Sequence, residues 1–386
     1  MLVINATAYP EGRFVSSLCV RMEGGRVQEV SSALAPLPGE EVLDLAGDYL
    51  LPGFVDVHIH GYKGRDTMQG EAAIRAMSRE LYKEGVAAFL PTTMSAAPEE
   101  TLHAISGVRA VMASPEPVGA QVLGVHMEAP FLNPLRAGAQ RKEHFCAPAM
   151  ETLLVLTGDN LQGIRLLTLA PELEGSEGLI RAARGAGLTV SLGHTCATAE
   201  ETHLAADWGA THVTHTFNAQ TPLNHREPGV PGAALTDERL YCEVIADGIH
   251  LHGDAVRLLV RAKGADKAVA VTDAMEAAGM PEGSYRLGGS RVLVKGREAR
   301  LEDGTLAGSV LTMRQALENL IHRFGIPPED AVRMCTLTPA RSIGEELAGR
   351  ICPGAPEPLT RWTKDWRMVG IVDQASPACN GAANRL

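Results

Sequence analysis

Eight short apolar segments between residues 54 and 273 constrain the fold of this sequence more than any other feature. Each is nearly continuous in apolar residues, as expected of parallel strands that are buried on both faces. Amphipathic stretches with helical spacing separate most of them. The segments are Phe54–His60, Ala87–Thr93, Gln121–Glu128, Ile164–Ala170, Leu188–His194, Thr211–Thr216, Tyr241–Asp247 and Ala268–Asp273.

Strands that alternate with helices predict an α/β fold, and eight strands predict a (β/α)8 TIM barrel. Helical patterns occupy Glu71–Lys83, Glu99–Met112, Ser176–Gly185, Ala199–Trp208, Asp254–Ala262, Leu311–Phe324 and Pro328–Met334. Residues 275–310 look like a small hairpin inserted after the eighth strand. An open doubly wound sheet is the alternative, but the glycine-rich turn typical of that fold does not follow the first strand.

The first fifty residues have a different pattern, with short strand-like runs separated by Gly, Pro and polar residues. Gly24-Gly25 fits a hairpin turn between two of these runs. The segment from residue 342 onward is Pro-rich and polar.

Charge and composition exclude several classes of protein. Lys and Arg number 35 against 46 Asp and Glu, a net charge of −11, which argues against a nucleic-acid-binding protein. No run of 18 apolar residues indicates a transmembrane helix. The opening residues carry no basic region typical of a secretory signal, and the seven cysteines are scattered. We therefore expect a cytoplasmic protein without a membrane partner.

Ionisable side chains cluster at the carboxyl ends of five predicted strands, where barrel enzymes carry their catalytic groups. Burying this many ionisable groups without an ion would leave several of them unpaired. Imidazole and carboxylate ligands suit Zn²⁺, followed by Fe²⁺ or Co²⁺, so the pattern predicts a divalent metal centre. The residues are His58, His60, Glu128, His194, His215 and Asp273.

Other histidines have simpler interpretations. His126 alternates with Glu128 and is expected beside the centre rather than in it. His103, His203 and His322 fall within helical patterns and are expected to be surface or packing residues.

Several motifs carry a family resemblance. Residues 51–61 resemble the opening strand of the amidohydrolase superfamily. Narrower motifs, in order along the chain, resemble the N-acetylglucosamine-6-phosphate deacetylases. They begin at His126, Gly138, Ser191, Thr214, Arg226, Asp247, Thr272 and Leu306.

This resemblance implies a barrel of the metal-dependent hydrolase type over residues 54–341. It also implies a small β-sandwich domain built from both chain ends, 1–53 and 342–386. The implied reaction, in amino-sugar catabolism, releases acetate from N-acetyl-D-glucosamine 6-phosphate and leaves D-glucosamine 6-phosphate. The implied enzyme is a cytoplasmic homodimer.

The resemblance also assigns roles to residues. Glu128, His194 and His215 match the family's metal ligands, and His58 and His60 match a further pair kept by members that bind two ions. One or two divalent ions per subunit are implied, with Zn first and Fe, Co or Mn as alternatives.

Asp273 matches the general base and acid that takes a proton from metal-activated water and returns it to the leaving amine. Arg226, with Asn218 and Ala219, resembles the phosphate-binding set, and in the family this arginine reaches the neighbouring subunit's site. The remaining substrate positions are Ala139, Gln140, His250, Leu306, Ala307 and Gly308.

Two departures from the family pattern stand out. Gln140 occupies a position where some members carry His; Gln can donate a hydrogen bond but cannot be charged. In the C-terminal segment, Pro356 and Pro358 oppose a central strand and predict an exposed edge on the N-terminal strands. Residues 375–386 are expected to be unstructured.

Three other functions compete with this one. The galactosamine epimer or another amide would use the same fold and metal. A catalytically silent relative would bind sugar phosphate as a sensor, although a sensor has no need of the full set of ionisable residues. The sequence does not discriminate between the two epimers.

Overall fold

The computed structural model describes residues 1–115 and 119–374. Eight parallel strands form a nearly closed barrel, as the sequence predicts, with strand 8 returning beside strand 1. The Asp273 N–H donates to the His58 carbonyl across this seam at 2.9 Å. Barrel strands 1 to 8 are Phe54–Ile59, Val86–Thr93, Val125–Met127, Ile164–Leu169, Thr189–Leu192, His212–Val213, Tyr241–Ile245 and Ala268–Val271.

Helices connect the barrel strands and bury an apolar face against them. Three have the predicted bounds, because an apolar stripe and clear end signals define them. The helices are Glu71–Lys83, Pro98–Met112, Met150–Thr157, Ser176–Gly185, Ala199–Trp208, Gly229–Thr236, Gly253–Lys263, Met313–Glu318, Pro328–Cys335 and Leu337–Ser342. Across residues 1–115 and 119–374, none of the helices has the length and apolar character needed to cross a membrane.

The insertion after barrel strand 8 is larger than the predicted hairpin. It is a three-stranded antiparallel sheet of Gly283–Leu287, Ser290–Lys295 and Glu298–Arg300. Its apolar face packs on Met94 and Met275, beside the ends of barrel strands 2 and 8. This packing brings the inserted sheet to the mouth of the barrel.

The two chain ends together form a separate seven-stranded mixed sheet with its own apolar core. Gly24 and Gly25 have φ angles of 61° and 74°, as a tight hairpin turn requires. The strands are Leu2–Ala8, Val15–Glu23, Arg26–Ser31, Val42–Asp44, Tyr49–Pro52, Leu359–Trp362 and Met368–Val372.

The prediction for the C-terminal segment was wrong. Leu359–Trp362 is an interior strand, antiparallel to Tyr49–Pro52 on one side and to Met368–Val372 on the other. Pro358 lies immediately before this strand, so the missing proline N–H removes no ladder hydrogen bond. The C-terminal strand thus covers the edge that was expected to be exposed. The prediction for residues 375–386 lies outside the described part of the chain.

Candidate metal centre

The ionisable residues at the strand ends converge at the mouth of the barrel in two adjacent sets. In the first set, the Nε2 atoms of His194 and His215 each lie 3.1 Å from Oε1 of Glu128. The two Nε2 atoms lie 3.0 Å from each other. All three side chains are buried, so three potential ligand atoms face one point away from water.

The second set is formed by His58, His60 and Asp273. Oδ1 of Asp273 lies 3.4 Å from His58 Nε2 and 3.3 Å from His60 Nε2. Glu128 lies between the sets, because its other oxygen, Oε2, is 3.2 Å from His60 Nε2. The two positions therefore share a carboxylate.

Every histidine of the two sets donates a hydrogen bond from Nδ1 to an oxygen that can only accept. In its neutral form, the form that can bind a metal, each ring therefore carries its lone pair on Nε2, the atom that faces the centre. The acceptors are the main-chain oxygens of Arg136 for His194 (2.8 Å), Asn218 for His215 (3.1 Å) and Thr92 for His60 (3.2 Å), and the Glu243 carboxylate for His58 (2.9 Å).

This arrangement fits a divalent metal. Ligand atoms about 3.3 Å apart are expected around tetrahedral zinc with bonds of about 2.0 Å. Hydrogen bonds at the opposite ring nitrogen are typical of metal-ligating histidines. Both features hold for both sets, so two ions could be held side by side.

Charge in the cluster favours an ionised Asp273. Burial alone raises the pKa of this carboxyl, but the positive charges of His58 and His60 outweigh burial and hold the pKa below its usual value. Burial lowers the pKa of His60, but hydrogen bonds to Asp273 and Glu128 outweigh burial and raise the pKa to about 9. Asp273 is therefore a carboxylate at neutral pH and can accept a proton.

Strained backbone turns three of these side chains into the mouth. His194, His215 and Asp273 have φ angles of 49°, 28° and 47°. Each lies two residues beyond the end of its barrel strand. Such conformations cost on the order of 1–3 kcal/mol for a residue other than glycine and concentrate at functional sites.

A cavity of about 470 Å³ opens over the two sets and is lined by His60, Glu128, His194, His215 and Asp273. His58 is fully buried below them. Seven of the nine predicted substrate positions also line the cavity: Ala139, Gln140, Asn218, Ala219, His250, Leu306 and Gly308.

Two predicted substrate positions lie elsewhere. Arg226 is exposed in the loop after barrel strand 6, outside the lining of the cavity. Ala307 is buried against the inserted sheet, in a cluster with Met275. Two arginines that the sequence analysis did not select, Arg136 and Arg300, do line the cavity. Arg300 belongs to the inserted sheet, whose position beside the mouth the sequence did not reveal.

Two polar side chains in the lining are held in fixed orientations. Gln140 accepts from the Ser95 N–H at 2.7 Å and donates to Glu128 Oε2 at 2.5 Å. His250 donates from Nδ1 to the Asp247 carboxylate at 2.7 Å. Burial lowers the pKa of His250, but the bond to Asp247 outweighs burial and raises it.

Sequence reasoning missed two buried carboxylates behind the ligands. Glu243 lies within barrel strand 7, and Asp56 within barrel strand 1, where it accepts from the Thr272 hydroxyl at 2.5 Å across the seam. Both residues interrupt runs that are otherwise largely apolar. That interruption is a usable signal, since a charge inside a buried strand requires a partner.

A (β/α)8 barrel with histidine and carboxylate sets at its mouth is the architecture of metal-dependent hydrolases, and the chain belongs to the amidohydrolase family. The model of that family matches residues 49–367. Similar proteins then identify a smaller group within this family. The chain is 36% identical over 348 residues to N-acetylglucosamine-6-phosphate deacetylase from Bacillus subtilis, covering 89% of this chain and 88% of that protein. Within the family it belongs with the N-acetylglucosamine-6-phosphate deacetylases.

Two further comparisons bear on substrate and fold. N-acetylgalactosamine-6-phosphate deacetylase from Escherichia coli O157:H7 is 38% identical over 327 residues, covering 84% of this chain and 86% of that protein. A mutant Mycobacterium smegmatis deacetylase, solved in complex with N-acetyl-D-glucosamine-6-phosphate, superimposes with a TM-score of 0.88 at 30% identity. The superposition covers 97% of each chain.

Proposed function

We propose that this protein hydrolyses the acetamido group of N-acetyl-D-glucosamine 6-phosphate to D-glucosamine 6-phosphate and acetate. The observation that carries the proposal is the convergence of two sets of metal-ligand side chains at one cavity, with the buried carboxyl of Asp273 in its lining. The B. subtilis relative supports the substrate. We further propose zinc as the metal, a homodimer as the assembly and the cytoplasm as the location.

The proposed metal positions are Glu128 with His194 and His215, and His58 with His60. A divalent ion bound there would lower the pKa of water and polarise the acetyl carbonyl. Asp273 would take the proton of the attacking water and deliver it to the leaving nitrogen, so that the C–N bond breaks with a neutral amine as product.

Other groups in the cavity would hold the substrate. Gln140 and His250 present oriented polar atoms, and we assign them to the acetamido group and the sugar ring. Gly308 has a φ of 61°, and an added Cβ would lie 3.0 Å from the carbonyl of Asp273. A glycine there keeps the loop close to the proposed base. We assign the phosphate to Asn218, Ala219 and Arg226.

Acetate release from purified protein tests the substrate. We expect kcat/KM for N-acetylglucosamine 6-phosphate to exceed the value for the unphosphorylated sugar by at least about tenfold. This expectation follows because a charge-assisted hydrogen bond contributes about 1.5–3 kcal/mol. The E. coli relative makes N-acetylgalactosamine 6-phosphate the second candidate. A higher kcat/KM for that epimer would replace the proposed substrate, and no turnover of either would refute the proposal.

Arg226 is expected to act across a subunit boundary, because it lies outside the cavity of its own chain. We expect Arg226→Ala to raise KM for the phosphorylated sugar roughly tenfold to hundredfold, the effect of losing about 1.5–3 kcal/mol. KM for the unphosphorylated sugar should stay unchanged. Steady-state kinetics with both sugars makes the comparison.

Arg181→Ala is the matched control, since Arg181 is another exposed arginine and, in the described part of the chain, its ion pair is with Glu177 of its own helix at 2.9 Å. Mixing the Arg226→Ala and Asp273→Asn proteins tests directly whether Arg226 acts in the cavity of the neighbouring subunit. A mixed dimer would contain one cavity with both native residues, so KM in the mixture should return towards the value of the parent protein. If Arg226→Ala leaves KM unchanged and mixing the two variants has no effect on it, Arg226 has no role in phosphate binding.

A further inference from the structure

A belt of polar side chains encircles the inside of the barrel beneath the metal positions. The polar belt contains one residue from each of barrel strands 2 to 7, together with Thr214 just beyond the end of strand 6. Its members are Thr92, His126, Thr168, Ser191, His212, Thr214 and Glu243. All seven are fully buried. TIM barrels usually fill this layer with branched apolar residues, so a polar layer needs an explanation.

Hydrogen bonds run along one side of the belt. His126 Nε2 lies 2.8 Å from the hydroxyl of Thr168, which lies 2.8 Å from that of Thr214. Thr214 is 2.6 Å from Ser191, whose hydroxyl is 3.2 Å from His212 Nδ1. These contacts join the residues to one another, and none of the four is made to a proposed ligand.

Glu243 is different, because it contacts both metal positions. Its Oε2 accepts from Nδ1 of His58 at 2.9 Å and from the main-chain N–H of His215 at 2.8 Å. One oxygen therefore binds a ligand side chain of the second set and the backbone of a ligand of the first. The other oxygen, Oε1, is 3.6 Å from His212 Nδ1 and has no hydrogen-bond partner among residues 1–115 and 119–374.

The bond to His58 has a chemical consequence. A carboxylate can only accept, so it requires the His58 proton on Nδ1 and leaves the lone pair on Nε2. It also makes the imidazole more basic and fixes the plane of the ring. His58 is fully buried, and within residues 1–115 and 119–374 the Glu243 carboxylate is the one hydrogen-bond partner of its Nδ1.

We propose that Glu243 is a positioning residue that orients His58 for a second metal ion and ties that position to the first through the main chain of His215. Among the described residues, the hydroxyl groups of the polar belt make no hydrogen bond to a ligand side chain, and Thr92 contacts His60 through its main-chain oxygen. This inference rests on the two proposed metal positions and is independent of the substrate.

Glu243→Gln tests it, because the amide has the same shape and its oxygen can still accept both hydrogen bonds. The charge is lost and the second carboxylate oxygen becomes an NH2 group, so His58 is no longer held by an anion that can only accept and that makes its ring more basic. The nearly identical shape is expected to keep the melting temperature close to that of the parent. We expect the affinity for the second Zn²⁺ to fall about 10–100-fold, the usual effect of losing such a partner. The first ion should be retained. Titration of the metal-free protein with Zn²⁺ against a chromophoric chelator measures both affinities, and the Co²⁺ absorption spectrum reports the geometry.

Thr168→Val is the matched control, since it removes hydrogen bonds from the same buried layer without touching a proposed ligand. It should leave both zinc affinities unchanged. The proposal is wrong if Glu243→Gln binds two ions as tightly as the parent, or if Thr168→Val weakens the second ion equally. A parent protein that binds only one ion would also overturn it. Deacetylase activity plays no part in these readouts, so a failure of the proposed substrate would be seen separately.

Discussion

Asp273→Asn is expected to lower kcat by about 10²–10⁴-fold, the range that a general acid–base group contributes. Asn keeps the size of the side chain but cannot take a proton. The carboxylate lies 3.3 Å from His60 Nε2 and lines the cavity, so it is placed to exchange a proton with a molecule bound there. The ion held by Glu128, His194 and His215 should remain, because Asp273 is outside that set. Stopped assays of acetate release, together with elemental analysis of the same sample, measure both quantities.

Asp66→Asn is the control for this variant. Asp66 is another buried carboxylate near the mouth of the barrel, and its Oδ1 accepts from the Met68 N–H at 2.7 Å. The amide oxygen of Asn can keep that bond, so turnover should change little. Retained turnover in Asp273→Asn would remove Asp273 from the mechanism and leave the proton transfer without an assigned base.

Removal of the metal is expected to abolish turnover, and added Zn²⁺ is expected to restore it. The physical reason is that a bound ion lowers the pKa of water from 15.7 to about 7, which the side chains alone cannot achieve. We expect the second ion to polarise the acetyl carbonyl in place of the histidine that some family members carry at the Gln140 position, so partial stripping should already reduce kcat severely. Activity is measured before chelation, after dialysis against a chelator and after stepwise return of Zn²⁺.

A sample dialysed without chelator controls for losses in handling, and circular dichroism checks that the metal-free protein stays folded. Full turnover by protein that elemental analysis finds free of divalent metal would contradict the proposed chemistry. Turnover that does not change when the second ion alone is lost would contradict only the expectation that this ion replaces a histidine at the Gln140 position.

The barrel was predictable because its signal is local. Each strand is buried on both faces, so an apolar run marks it without reference to the rest of the chain. The third barrel strand shows that an apolar run does not always give the correct bounds of a strand. Gln121–Glu128 was predicted as one run, but Gly124, with a φ of 150°, separates Gln121–Val122 from Val125–Met127. A glycine within a strand pattern is a known sign of such an interruption.

The candidate site was predictable where it lies at strand ends and unpredictable where it depends on packing between distant segments. His58 and His60 are two apart on one strand, so their common face follows from the strand period. Arg300 reaches the cavity only because the inserted sheet packs on Met94 and Met275. Leu359–Trp362 finds its partner in Tyr49–Pro52, and no local pattern encodes that distance.

The pairing of Leu359–Trp362 with Tyr49–Pro52 has a consequence for synthesis on the ribosome. Tyr49–Pro52 leads directly into barrel strand 1. One of its edges stays unpaired until Leu359–Trp362 has been synthesised. At about 5–20 residues per second, the intervening roughly 300 residues take about 15–60 s to make. During that time the nascent chain carries an unpaired strand edge, the usual starting point for association between chains. The edge of Tyr49–Pro52 that is paired in the finished fold therefore needs protection while the chain is being made.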